Sequence, residues 1–158
     1  MNRSTEPISV VLIALYRYQN FPVRIMHSLL ENIDGVQPYS IFLKNFYTNV
    51  INPPTSKEEI LLRELIIKLN PKIVGISVYS PFVSTAKRVS AIVKSESSAL
   101  LVWGGIHPTL SPKTSIKEAD LICMGEGEGA LSDLVVSVRD GNDYHHIDNL
   151  HSKHYQGY

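Results

Sequence analysis

Four of the six histidines, His145, His146, His151 and His154, fall within ten residues near the end of the chain. Clustered imidazoles could hold a metal ion, provided that helix or hairpin spacing fixes the ligands. These four stand in the polar, aperiodic stretch "RDGNDYHHIDNLHSKHYQGY", which offers no such spacing. A specific metal site is therefore the weaker reading. His27 falls inside a helical pattern and reads as a helix-surface or half-buried residue rather than a ligand. The single cysteine, Cys123, lies in the apolar run "ADLICMG" and reads as a small buried core residue. One cysteine excludes a disulfide framework, and also any cluster held by several thiolates of this chain. No Ser–His–Asp, Cys–His or paired-carboxylate arrangement stands out, so no residue is assigned as catalytic. The residues describe a binding module.

Two glycine-rich stretches carry the stronger signal. "VWGGIHPTLSP", Val102 to Pro112, leaves an apolar run and places Gly104, Gly105 and His107 in a loop. Adjacent glycines serve a turn that side chains forbid, or let a large group lie against the backbone. "GEGEGA", Gly125 to Ala130, has the outward form of a dinucleotide-binding turn. Glu126 and Glu128 would repel a pyrophosphate, and no later strand brings an acid to the ribose. The plainer reading is two acids at the positive end of a helix. The loop "YRYQN" holds neither a phosphate cradle nor an acidic cluster.

These loops need a frame, and the apolar pattern supplies one. "ISVVLIAL", Ile8–Leu15, is continuous and β-branched, as in a strand buried on both faces. Ile25, Met26, Leu29, Leu30 and Ile33 form a helical stripe, with Pro22 in its first turn and Gly35 past its end. "QPYSIFLK" is a weaker strand. A second helix is announced by capping-box spacing, Thr55 with Glu58 or Ser56 with Glu59, and by the stripe Leu61, Leu65, Leu69. "KIVGISVY", "ALLVW" and "ADLICM" are three further strands. Ala86, Val89, Ile92 and Val93 mark one intervening helix; Leu131, Leu134, Val135 and Val138 mark the last. The connection Gly104–Glu118 is expected to be loop.

Alternating strands and helices predict a three-layer α/β/α fold with a doubly wound, five-stranded parallel sheet. The expected order is 2-1-3-4-5, a flavodoxin-like (Rossmann-like) arrangement. Ligands of such sheets bind beyond the carboxyl ends of the strands. Residues 1–140 are read as the domain and 141–158 as a linker or tail.

The chain has 158 residues, a formal net charge of zero and a pI near 7.0. Nothing in that balance favours nucleic acid or an anionic membrane as partner. The longest apolar run, "VVLIAL", is too short to span a bilayer. The opening "MNRSTEP" does not read as a secretory leader, so a cytoplasmic location is expected.

Three elements in order, "VGISVYS", "VWGGIHPTLSP" and "ADLICMGEGEGAL", resemble the N-terminal cobalamin-binding domain of cobalamin-dependent radical S-adenosylmethionine enzymes. The family pattern is a strand ending in a serine-containing turn, a Gly-Gly-x-His-Pro-Thr loop, and an aspartate-led strand running into Gly-Glu-Gly-Glu. The resemblance covers roughly Ile8 to Val138 and is clearest from Lys72 onward.

The resemblance implies bound cobalamin, its corrin ring over the carboxyl ends of the strands and its nucleotide tail alongside the sheet. Gly104 and Gly105 would lack side chains because the tail passes them. Ser77 would offer it a hydroxyl, with Ser80 a second and Tyr79 beside them. Thr109, Gly125 and Glu126 would flank the ligand, and His107 belongs to the loop pattern without being a cobalt ligand. The plain alternatives are a tight turn for the glycines and a self-bonded serine for Ser77. Mutases and methionine synthase carry Asp-x-His-x-x-Gly after their first strand, and its histidine ligates cobalt. "YRYQN" has neither that histidine nor that aspartate, so no lower ligand is expected from it.

The family's catalytic barrel, with its Cys-x-x-x-Cys-x-x-Cys cluster site, has no counterpart here. Iron–sulfur cluster and S-adenosylmethionine would belong to that barrel, in a parent chain or encoded separately. The implied function is the cobalamin-binding part of a radical enzyme, often a methyltransferase. The competing readings are a scaffold module that keeps the fold without the ligand, and a nucleotide binder using "GEGEGA".

Overall fold

The computed structural model describes residues 6–17, 19–44 and 51–153. Tyr18 and His154 of the sequence reading lie outside them.

The strands are β1 (Ile8–Tyr16), β2 (Val36–Lys44), β3 (Ile73–Ser77), β4 (Leu100–Gly104), β5 (Leu121–Cys123) and β6 (Leu150–Ser152). The helices are α1 (Phe21–Glu31), α2 (Ser56–Leu69), α3 (Val83–Glu96), α4 (Ile106–Leu110), α5 (Pro112–Ser115) and α6 (Glu128–Asp140). The sheet order is β2-β1-β3-β4-β5-β6. The first five strands are parallel in the expected order, and β6 pairs with β5 antiparallel. This is a Rossmann-like α/β fold.

Alternation along each strand divides the core into two halves. On one face Val11, Ile13, Val74, Ile76, Leu101 and Trp103 pack with Leu62 and Ile66 of α2 and Ala86, Val89 and Val93 of α3. Trp103 is wholly buried there, its indole N–H donating to the Ser90 hydroxyl at 2.8 Å. On the other face Val10, Leu12, Ala14, Val102, Leu121 and Cys123 meet Val23 and Leu30 of α1 and Leu134 and Val135 of α6.

The local signals act as chemistry requires. Thr55 caps α2 by accepting from the Glu58 N–H, while the Glu58 carboxylate accepts from the Thr55 N–H at 2.7 Å. Burial pushes Glu58 up, but hydrogen bonds from Lys44 and Thr55 outweigh it and hold the carboxyl below its usual range. Asn20, unremarked in the sequence, caps α1 by accepting from the Val23 N–H. Asp120, which leads into β5, accepts from the Leu101 N–H at 3.0 Å, and its own N–H donates to the Leu101 carbonyl. That exchange fixes β4 against β5.

Three expectations are corrected. The buried residues of α2 are Leu62 and Ile66, whereas Leu61 and Leu65 are exposed. The helix is apolar on more than one side, so periodicity alone could not choose its inner face. The Gly104–Glu118 connection holds two short helices, α4 and α5, where a loop was expected. The stretch read as linker is ordered chain through residue 153: Ile147 and Leu150 are buried, and β6 makes the sheet six-stranded. A three-residue edge strand is too short to show alternation in sequence.

Candidate cofactor site

Small residues hollow out one face of the sheet. Gly75 and Ser77 on β3 and Gly104 on β4 point toward α1 and α6, with Ser77 paired to Gly104 and Gly75 to Val102. Leu12 and Ala14 of β1 lie opposite Gly75 and Ser77 in register. The opposite face of the same strands carries Val74, Ile76 and Trp103 and is filled. The result is a trough on one side only.

Helices roof this trough. Val23 and Met26 of α1 and Leu131 and Leu134 of α6 line a cavity of about 460 Å³ whose floor is Gly75, Ser77, Val102, Gly104 and Cys123. Its rim is built from the loops after β3, β4 and β5, namely Tyr79, Gly105, Ile106, Thr109 and Gly125–Glu128. The cavity therefore opens where the carboxyl ends of the parallel strands are, the ligand end of such a sheet.

The adjacent glycines have separate reasons. Gly105 has φ +99° and ψ −168°, a conformation reserved for glycine. A Cβ there would stand 3.0 Å from the Val78 carbonyl oxygen. Val78 also accepts from the His107 N–H at 3.1 Å, and its own N–H donates to the Gly104 carbonyl at 2.8 Å. Gly105 is thus required by the protein itself. Gly104 is different: a Cβ there would meet only the Cys123 Cβ at 3.8 Å, an ordinary contact. The protein would accept a methyl group at Gly104, so its absence keeps the floor of the cavity low.

Of the residues singled out from sequence, Ser77, Tyr79, Gly104, Gly105, Thr109, Gly125 and Glu126 line the cavity. Ser77 is partly buried, and its hydroxyl makes no hydrogen bond among the described residues. The self-bonded alternative for this serine is not what the structure contains. Thr109 is bonded within the protein: its hydroxyl donates to the Gly105 carbonyl at 3.1 Å and accepts from the Gly125 N–H at 3.0 Å. Ser80 and His107 lie outside the cavity lining and bond to each other, Oγ to Nδ1, at 3.0 Å. That contact ties the loop after β3 to the loop after β4.

"GEGEGA" has its own structural account. Gly125 has φ +80°, and Gly127 caps α6 where a Cβ would press on Met26 Cε at 3.1 Å. Glu126 and Glu128 are exposed, with Glu128 in the first turn of α6. Cys123 is buried, and its thiol is pushed up to about 11 by that burial and then by the negative charge of Glu128. It is a residue of the cavity floor.

The sequence reading missed Gly75, Met26, Leu131 and Leu150, all of which line the cavity. Gly75 had a signal, a glycine interrupting a β-branched strand. The others look like ordinary core residues until tertiary structure leaves space beside them. Of the tail histidines, His145 and His146 face Asp143 and His151 is in β6. Among the described residues no group of three or more His, Cys, Asp or Glu is placed to hold a metal ion. No helix among them is long and apolar enough to cross a membrane.

An open α/β sheet with a one-sided, apolar trough running to its carboxyl edge defines a cofactor-binding domain. A family model for the B12 binding domain matches residues 40–135, and the chain belongs to that family. An anaerobic magnesium-protoporphyrin IX monomethyl ester cyclase of Rubrivivax gelatinosus is 38% identical over 84 residues, which are 51% of this chain and 15% of the cyclase. A structure of the radical S-adenosylmethionine methyltransferase TsrM from Kitasatospora setae, with cobalamin and a 4Fe-4S cluster bound, aligns with a TM-score of 0.77 at 17% identity. The alignment covers 97% of this chain and 28% of TsrM. The cobalamin-dependent S-adenosylmethionine radical enzyme OxsB, with aqua-cobalamin bound, aligns with a TM-score of 0.71 at 16% identity, over 92% of this chain and 20% of OxsB. At such identities the likeness is one of fold. The chain spans less than a third of the length of each of these relatives.

Proposed function

We propose that this chain binds cobalamin and serves as the cobalamin-binding part of a radical S-adenosylmethionine enzyme. The observation that carries the reading is the trough itself. Gly75, Ser77 and Gly104 leave an apolar cavity beneath α1 and α6, and one unbonded hydroxyl, that of Ser77, stands on its floor. Such a cavity suits an elongated, partly apolar group that needs few hydrogen bonds. The benzimidazole base of cobalamin's nucleotide tail has that character, and the residues present fit it. Ser77 would hydrogen-bond the tail, Gly104 and Gly75 would admit it, and Tyr79, Gly125 and Glu126 would flank it at the rim.

Bound cobalamin supplies a cobalt centre able to carry a methyl group. The chain's own part is to hold the cofactor and keep water from it. Iron–sulfur cluster and S-adenosylmethionine belong, in this reading, to a barrel in the parent chain or in a separately encoded partner. The location is read as cytoplasmic. The parent reaction is read as methyl transfer. The identity to the cyclase makes ring closure on a porphyrin ester the second reading.

The test is visible absorption after anaerobic incubation with hydroxocobalamin and desalting. A near-stoichiometric corrinoid spectrum is expected from the wild-type chain, and none from a folded Gly104→Trp variant. Colourless wild-type protein with native circular dichroism would overturn the reading in favour of a scaffold module without ligand.

A further inference from the structure

The stretch 141–153 returns to the edge of the sheet and reaches the cavity through Leu150. Gly141 ends α6 in a left-handed turn at φ +72°, and the chain returns to lie along β5. Leu150 pairs with Cys123 in register, is buried, and lines the cavity. Asn149 precedes it with φ +64°, a left-handed conformation that asparagine tolerates better than most residues. Asn149 holds the glycine turn at two points. Its carbonyl accepts from the Met124 N–H at 2.8 Å, and its side-chain amide donates to the Glu126 carbonyl at 3.3 Å. The same Glu126 carbonyl accepts from the Cys123 thiol at 3.9 Å. The stretch matched by the B12 binding family model, 40–135, ends before Gly141, Asn149 and Leu150.

We propose that residues 141–152 form a strap that completes the cofactor cavity, with Leu150 as part of its wall and Asn149 as a positioning residue for the Gly125–Gly127 turn. The proposal rests on the cobalamin reading for what fills the cavity, but not for how the turn is held. The strap stands at the edge of the sheet, held by the three residues of β6 and by Ile147 and Leu150 in the core. A chain that ends or is cut before Gly141 would leave the trough open along β5. The strap thus makes cofactor retention depend on chain outside the matched family stretch.

The test uses the full chain and three variants. Ile147→Ala and Leu150→Ala remove similar buried side chains from the same strap, but only Leu150 lines the trough. Leu150→Ala should weaken hydroxocobalamin retention about tenfold. Ile147→Ala should lower thermal stability comparably and change retention less than about threefold. Asn149→Gly keeps the left-handed backbone and the carbonyl to Met124, losing only the amide to Glu126. In the ligand-free chain it should speed amide hydrogen exchange at residues 125–127 about fivefold, the loss of one hydrogen bond. Equal effects of the two alanine variants on retention would overturn the wall assignment. Unchanged exchange in Asn149→Gly would overturn the positioning role. Failure of the wild-type chain to retain corrinoid overturns the cobalamin reading and the wall role together, while the exchange result still decides how the turn is held.

Discussion

The Thr109 hydroxyl stands 3.0 Å from the Gly125 amide nitrogen and 3.1 Å from the Gly105 carbonyl oxygen. One side chain thereby joins the loop after β4 to the loop after β5, and both loops form the rim of the cavity. Thr109→Val keeps the shape and removes both bonds. Water can replace each at this exposed rim, so unfolding stability should fall by only about 1 kcal/mol. Exchange of the Gly125 amide, followed by NMR, should rise clearly. An unchanged Gly125 amide would mean that the rim loops are held independently.

Gly104 and Gly105 should part company on substitution. Gly105→Ala forces a side chain onto φ +99° and against the Val78 carbonyl, and should cost about 2–3 kcal/mol in a denaturant titration. Gly104→Ala meets nothing closer than 3.8 Å and should leave stability unchanged or slightly raised. Corrinoid affinity should nevertheless fall in Gly104→Ala, because the methyl group lifts the cavity floor. Equal destabilisation by both would show that the pair is only a turn.

Ser77→Ala tests the ligand directly. The hydroxyl has no partner among the described residues, so thermal stability should be unaffected. Affinity for hydroxocobalamin should drop about fivefold, the worth of one hydrogen bond. A variant that binds as tightly as wild type would remove Ser77 from the binding site.

Cys123 predicts a pH dependence. Burial first, and then Glu128, raise its thiol from 9.0 to about 11. The unfolded chain loses this proton before the folded chain does. Its contribution to stability is full below pH 9.0 and is lost as pH rises toward about 11. The loss is on the order of 2–3 kcal/mol. Cys123→Ala should flatten the fall in stability across that window in alkaline denaturation. An identical pH profile would place the thiol in contact with solvent.

Much of the frame was legible because the parallel sheet is written as continuous apolar runs. β1, β3 and β4 read as buried strands, and their alternation with amphipathic helices made 2-1-3-4-5, the order of the five parallel strands, the expected one. The Thr55–Glu58 capping box was legible too, since four residues of local sequence contain the whole interaction. The inner face of α2 was not, because exposed Leu61 and Leu65 are as apolar as buried Leu62 and Ile66.

The sequence by itself determined which loops gather at the carboxyl edge, for strands that alternate with helices run parallel and leave every strand-to-helix loop at that edge. It also marked Gly104 and Gly105 as unusual, and the family resemblance singled out Ser77. Only the tertiary structure separated the two glycines, since whether a Cβ meets Val78 or open space depends on packing between distant segments. Only the tertiary structure exposed the trough, because a cavity is the gap left between α1, α6 and the sheet. Leu150 and Asn149 were invisible beforehand for the same reason. Their roles come from lying against β5 across an antiparallel pairing that three residues in a polar stretch cannot announce.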